Sequence, residues 1–238
     1  MKDKKVLEAD AQAAAMGSMG AGLAHELKTP LSTIDINLQL LQEEWANPVS
    51  EREVRSAKRL QVIARSVAKM NEIIRSFVRF AQDKPLDLRP VELHQLAQDI
   101  VSSELGEIIR NRDRIDKVHV TCDLKPCSAQ ADEVLIRQSI LNLLINAVEA
   151  IPGKGTVALR TWMEGDRALI SVSDTGQGIA PENMEKIWNL YFTTKPSGIG
   201  MGLPIVKRFV EAHGGTVRGE SRPGKGSTFS LSIPVRHG

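Results

Sequence analysis

Two stretches of aliphatic residues recurring at heptad spacing constrain this chain more than anything else in it. Leu27, Leu31, Ile34, Leu38, Leu41 and Trp45 are spaced 4, 3, 4, 3, 4, and Leu60, Ile63, Val67, Met70, Ile74, Phe77 and Ala81 are spaced 3, 4, 3, 4, 3, 4. An α-helix brings such positions onto one stripe, an a/d seam. Ala46-Asn47-Pro48-Val49-Ser50 reads as the tight connection between two helices. Ser50 and Glu53 have the spacing of a capping box, which opens the second one. Residues 1–82 therefore predict a helical hairpin. Two arms bury only part of their seams against each other, so a homodimer forming a four-helix bundle is the natural completion. The alternative is that the seams pack on the rest of the chain.

After residue 82 the period changes. Asp83-Lys84-Pro85 is a polar break, and residues 86–93 read as a strand entering a helix. Residues 118–122, 156–163, 168–173, 216–220 and 227–234 read as strands, and 132–150 and 201–213 as helices, the last ended by Gly214-Gly215. Mixed helices and paired strands over residues 83–238 predict an α/β sandwich. Only nine side chains are aromatic, so much of the packing must be aliphatic. The net charge of +2 gives no electrostatic case for binding nucleic acid. Cys122 and Cys127 make neither a disulfide framework nor a zinc site, and both read as buried thiols of a reducing compartment. The uncharged stretch at residues 11–24 is interrupted by glycines and is shorter than a membrane span, which needs roughly 20 apolar residues. No membrane segment or signal peptide is visible. The expectation is a cytoplasmic location, including that of the cytoplasmic part of a membrane-bound sensor with its membrane region upstream.

One histidine faces away from the first seam. At about 100° per residue, His25 lies about 200° from Leu23, on the outer side of the helix. Glu26 is its neighbour, Thr29 shares its face one turn on, and Pro30 favours a kink just beyond. A lone surface histidine is ordinarily inert. The string His25-Glu26-Leu27-Lys28-Thr29-Pro30, however, resembles the H-box of sensor histidine kinases, whose histidine accepts phosphate on a dimeric helical hairpin. His94, His119, His213 and His237 have ordinary structural settings.

The 132–150 helix carries Asn142 and Asn146 four residues apart on one face, although asparagine is a poor helix former. Three glycine clusters follow: Asp174-Thr175-Gly176-Gln177-Gly178 after a strand, Gly198-Ile199-Gly200-Met201-Gly202-Leu203 before a helix, and Gly224-Lys225-Gly226-Ser227-Thr228-Phe229 before a strand. The second lacks the spacing of a dinucleotide fingerprint. Residues 219–226 miss a P-loop, because Gly226 stands where Ser or Thr is required and no helix follows. In this order, with Phe192 in Tyr191-Phe192-Thr193-Thr194-Lys195, the elements resemble the N, G1, F, G2 and G3 boxes of the GHKL (Bergerat-fold) ATP-binding domain over about residues 88–235.

The resemblance implies ATP and Mg²⁺ as cofactors. It implies Mg²⁺ coordination by Asn146 with support from Asn142, and acceptance of the adenine amino group by Asp174. Gly176 and Gly178 would allow close approach of backbone and base. Gly198, Gly200, Gly202 and Leu203 would expose amides to phosphate at a helix start. Phe192 would anchor a short lid, Lys195 would touch phosphate, and Ser227 and Thr228 would line the nucleotide. With the H-box, it implies a histidine autokinase of the short-lid, nitrogen-regulator type. His25 would be the phosphoacceptor, Glu26 its general base, an aspartate of a response-regulator receiver domain the next acceptor, and Thr29 a residue for phosphatase action. The rival reading is a GHKL ATPase or chaperone using ATP as a conformational clamp. Those relatives carry a glutamate near the position of Asn142. A non-enzymatic phosphotransfer module is a third reading, opposed by the asparagine and glycine boxes.

Overall fold

The computed structural model describes residues 30–45, 50–81, 85–111, 117–195, 198 and 200–236. The chain divides into two compact units, Met1–Lys84 and Pro85–Gly238.

In the first unit, α1 covers residues 30–44 and α2 is Glu51–Ala81. The capping box forms as spaced: the Ser50 N–H donates to Glu53 Oε2 at 3.2 Å, and the Glu53 N–H donates to Ser50 Oγ at 3.2 Å. Each seam divides into two rows. Leu31 and Leu38 of α1 are buried with Leu60 and Val67 of α2, flanked by Ala64 and Ile74. The alternate members stay outside: Ile34 is 44% exposed, Leu41 38%, Ile63 47% and Met70 42%. The members within each row are seven residues apart, so the hairpin covers one row and leaves the other facing outward. The kink expected beside Pro30 falls at the edge of the described residues.

The second unit is a two-layer sandwich. β1 (Arg89–Glu92) pairs antiparallel with β3 (Ser128–Ala131). β2 (Val118–Leu124), β4 (Gly155–Glu164), β5 (Arg167–Asp174), β6 (Thr216–Arg222) and β7 (Gly226–Pro234) form a sheet in the order β2-β4-β5-β7-β6. β2 runs parallel to β4, and every other pairing is antiparallel. The Gly165-Asp166 turn joins β4 to β5, with Gly165 at φ 59°. α3 (Leu93–Ile100), α5 (Glu133–Ala150) and α6 (Gly202–Ala212) supply the helical layer. Strand alternation sends Phe229, Leu231 and Ile233 of β7 inward to meet Ile136, Ile140 and Leu144 of α5 in one core. Each such side chain contributes about 1.5–3 kcal/mol by burial, so an aliphatic core suffices. Phe229 adds an edge-to-face contact with Trp188 at 6.0 Å between centroids.

Two elements go beyond the sequence reading. β3 is a four-residue strand of Ser, Ala and Gln, without the β-branched residues that mark a strand. α3 continues through a π-helical turn, Val101–Leu105, into α4 (Gly106–Asn111). In that turn Ser102 and Ser103 donate their hydroxyls to the carbonyls of Gln98 and Asp99, both at 2.6 Å, competing with the ladder. One expectation is corrected. Cys127 is buried, but Cys122 is exposed, because β2 is an edge strand.

Candidate functional site

Two helices frame the site, and side chains fix their spacing. Asp132 caps α5, its Oδ1 accepting from the N–H groups of Val134 at 3.1 Å and Leu135 at 3.3 Å. Asn142 is half-buried. Its Oδ1 accepts from Gln138 Nε2 at 3.0 Å, and its Nδ2 donates to the Gly202 carbonyl at 3.4 Å, tying α5 to the first residue of α6. Asn146 faces the same place: a Cβ on Gly202 would stand 3.5 Å from Asn146 Nδ2.

The start of α6 carries no side-chain cap on Met201. The Ile205 N–H closes the first turn onto the Met201 carbonyl at 3.1 Å, and Pro204 has no N–H. The amides of Met201, Gly202 and Leu203 thus belong to the first turn, whose donors helix geometry leaves without an intrahelical acceptor. An uncapped helix start beside two amide side chains suits an anionic group.

The glycines separate by what surrounds them. A Cβ on Gly198 would strike Thr193 Oγ1, and one on Gly200 would meet the Tyr191–Phe192 backbone. These two make room for the neighbouring chain, where the Tyr191 N–H donates to the Gly200 carbonyl at 2.9 Å. Gly176 lies against the Ala150 carbonyl and Gly178 against the Arg222 carbonyl, so these two are first of all packing glycines. Phe192 packs against the core, while Tyr191 is exposed at φ 65°.

Asp174 ends β5 and is 6% exposed. Its Oδ1 accepts from the Gly176 N–H at 2.8 Å. Burial pushes its carboxyl above the usual carboxylate value, and hydrogen bonds from Gly176 and Ser227 and the charge of Lys195 offset part of that. Thr228 pairs its hydroxyl with that of Ser173 at 2.9 Å. Asp174, Met184, Gly219, Ser221, Ser227 and Thr228 border a cleft of about 530 Å³. The buried carboxylate beside this cleft can accept from an amine donor, and the first-turn amides of α6 suit an anion.

Lys195 is differently engaged than its reading as a phosphate contact implies. Its Nζ donates to Glu149 Oε2 at 2.9 Å and to the Asn146 main-chain carbonyl at 3.3 Å. Glu149 escaped the sequence reading, although Asn142, Asn146 and Glu149 lie at i, i+4 and i+7 on one stripe. His25, Glu26 and Thr29 lie outside the described residues.

The donors fit a magnesium nucleotide. Among the described residues, no cluster of three or more His, Cys, Asp or Glu could hold a metal alone. Mg²⁺ is ordinarily bound by one or two protein oxygens together with substrate phosphates, and the Asn146 side chain beside the start of α6 has an oxygen that would suit it.

This sandwich, with its asparagine helix, buried aspartate and glycine loops, defines a nucleotide-binding domain of the GHKL class. Residues 131–237 match the model for the histidine kinase-, DNA gyrase B- and HSP90-like ATPase, and residues 15–85 match that for the His Kinase A (phospho-acceptor) domain. The chain belongs to the sensor histidine kinases and comprises their catalytic core. It is 33% identical to the signal transduction histidine-protein kinase AtoS of Escherichia coli (strain K12), over 93% of this chain and 35% of that one. Full-length ShkA in complex with AMPPNP superposes with a TM-score of 0.71 at 26% identity, over 93% of this chain and 46% of that one. ThkA in complex with the response regulator TrrA shares the fold, with a TM-score of 0.65 at 22% identity, over 98% of this chain and 66% of that one. The chain spans about a third to a half of the length of the curated relatives it matches. Among the described residues no helix is long and apolar enough to cross a membrane.

Proposed function

We propose that this chain is an ATP-dependent histidine autokinase of a two-component system. Residues 1–82 would serve dimerisation and phosphotransfer, and residues 83–238 would bind ATP. The observation that carries the reading is the facing of Asn146 and the uncapped start of α6, with the buried Asp174 in the same unit, in a chain whose residues 15–85 match a phospho-acceptor domain.

Asp174 accepts the adenine amino group, the Gly202 and Leu203 amides hold phosphate oxygens, and Asn146 would hold Mg²⁺ with Asn142 in support. When bound, the ion would neutralise charge on the transferred phosphoryl group. His25 must be neutral, because an imidazolium has no lone pair to offer. One ring nitrogen forms the N–P bond as the bond from the γ-phosphorus to the β,γ-bridging oxygen breaks and ADP leaves. The proton on the other nitrogen is oriented or taken by Glu26. The phosphoryl group then passes to an aspartate of a response-regulator receiver domain. Thr29 would place water to hydrolyse that aspartyl phosphate, giving phosphatase action. The outward row of Ile34, Leu41, Ile63 and Met70 supports a homodimer, since a second hairpin covers it. Asn142 argues against an ATPase clamp: it is engaged by Gln138 and Gly202, and an amide cannot take a proton from attacking water.

Incubation with γ-labelled ATP and Mg²⁺ should give an acid-labile, base-stable label, absent in His25→Gln. Label persisting in that variant would sink the assignment. Steady phosphate release with no phosphohistidine would favour the ATPase reading. For Thr29, a Thr29→Ala variant that dephosphorylates the receiver as fast as the wild type removes the phosphatase role.

A further inference from the structure

The contacts along α5 give the site a direction. At the C-terminal end of the helix, the Ala150 carbonyl accepts from the Gln177 N–H at 2.9 Å, in the loop that follows Asp174. Toward its middle, Asn142 reaches Gly202 at the start of α6. The base of a bound nucleotide therefore lies toward Ala150 and its phosphates toward Asn142. Glu149 stands about 10 Å further along the helix than Asn142, at 1.5 Å per residue. The Lys195–Glu149 pair consequently lies on the Ala150 side of Asn146, toward the base end of the site, where the Lys195 charge also acts on Asp174.

We infer that Lys195 and Glu149 form a strap at the base end of the site, in which Glu149 is a positioning residue that fastens the Tyr191–Lys195 segment to α5. This rests on the adenine-nucleotide reading above and replaces the phosphate role for Lys195. The segment is held at two points. Phe192 is packed into the core, and three residues on, the Lys195 ammonium is gripped by a carboxylate and a main-chain carbonyl of α5. Between them the Lys195 N–H donates to Thr193 Oγ1 at 3.1 Å, turning the chain so that its side chain points back to the helix. The side chains are only 25% and 32% exposed, so the pair is shielded on several sides. The ammonium also lies over the last turn of α5, where the helix dipole favours a cation. A flexible lysine placed by three such contacts has already lost the rotamer freedom that ordering it would cost.

The full chain distinguishes a strap from a phosphate ligand through binding alone. Affinities for AMP, ADP and ATP, each with Mg²⁺, are measured by calorimetry for the wild type, Lys195→Ala, Glu149→Gln and the double variant. Thermal unfolding confirms that each remains folded. A strap predicts that either single change weakens all three nucleotides by the same factor, about fivefold, the upper end for a partly exposed ion pair. The double variant should bind no worse than either single one. The charge-reversed pair, Glu149→Lys with Lys195→Glu, should recover affinity relative to each reversal alone. Lys195→Ala that weakens ATP and ADP but spares AMP would overturn the strap in favour of a phosphate contact. Tighter ATP binding in Glu149→Gln would overturn it in favour of a competitor for the lysine. A wild type that binds none of the three overturns the nucleotide reading itself, an outcome separate from these.

Discussion

The buried imidazole of His213 accepts the main-chain N–H of Asp132 through Nε2 at 2.9 Å, and its Nδ1 hydrogen-bonds the Phe209 carbonyl. One ring thus joins the last turn of α6 to the N-cap of α5, and the two helices that frame the nucleotide site are fixed at a second point besides Asn142. His213→Ala should destabilise the second unit by about 2–4 kcal/mol, from the lost volume and the stranded Asp132 amide. Urea unfolding of the two chains checks this. A change under about 0.5 kcal/mol, as for an ordinary surface substitution, would mean that the ring carries no such load.

Asp174 should give the protein an unusual pH dependence. Its folded-state pKa is raised above the ordinary 3.8 by burial, so the folded chain holds this proton more tightly than the unfolded one. The contribution to stability is greatest below the ordinary value and declines as pH rises through the folded-state value. Asp174→Asn has no such titration. Across that window, the stability of the wild type relative to this variant should fall with rising pH in nucleotide-free protein. Parallel curves, or a relative rise, would contradict the assignment. The variant should also lose adenine-nucleotide affinity.

Gly226 has φ 86°, and a Cβ there would collide with the Asp174 carbonyl. The strained conformation and the clash both oppose any side chain, so Gly226→Ala should destabilise by more than about 2 kcal/mol. Nucleotide affinity should fall in parallel, because the displaced partner is the backbone of Asp174, the residue proposed to bind the base. Unfolding and binding measured together test the link.

The exposed row of the hairpin can be tested without touching its covered row. Ile63→Ser with Met70→Ser should leave the helical content unchanged and weaken self-association by about tenfold or more, given roughly 0.8 kcal/mol per buried methylene. Sedimentation equilibrium reads this directly. Unchanged association would show that a dimer, if present, uses another face.

Much of this was legible in the chain because it follows from periodicity. The heptads gave α1 and α2, the Ser50–Glu53 spacing gave a real reciprocal cap, and alternation placed β4, β5 and β7. What escaped was what periodicity does not encode. β3 has strand character only through its partner β1, and the π-helical turn at Val101–Leu105 depends on which carbonyls two serines take. In the site, the asparagine and glycine positions could be read, but the reasons for the glycines could not. Gly198 makes room for the Thr193 side chain and Gly200 for the Tyr191–Phe192 backbone, contacts with no local signature. The resemblance implies a phosphate contact for Lys195, whereas its partner in the structure, Glu149, is 46 residues away, beyond any local signal.

Gly202 differs from every glycine just mentioned. The nearest atom to a Cβ there is Asn146 Nδ2 at 3.5 Å, an ordinary contact. Alanine would fit and would favour the helix, by up to about 1 kcal/mol in a helix interior and less at its first residue. An unliganded Gly202→Ala chain should therefore be at least as stable as the wild type while binding phosphate-bearing ligands more weakly. Folding alone has no use for the bare backbone at this point, so the position carries an imprint of binding rather than of packing.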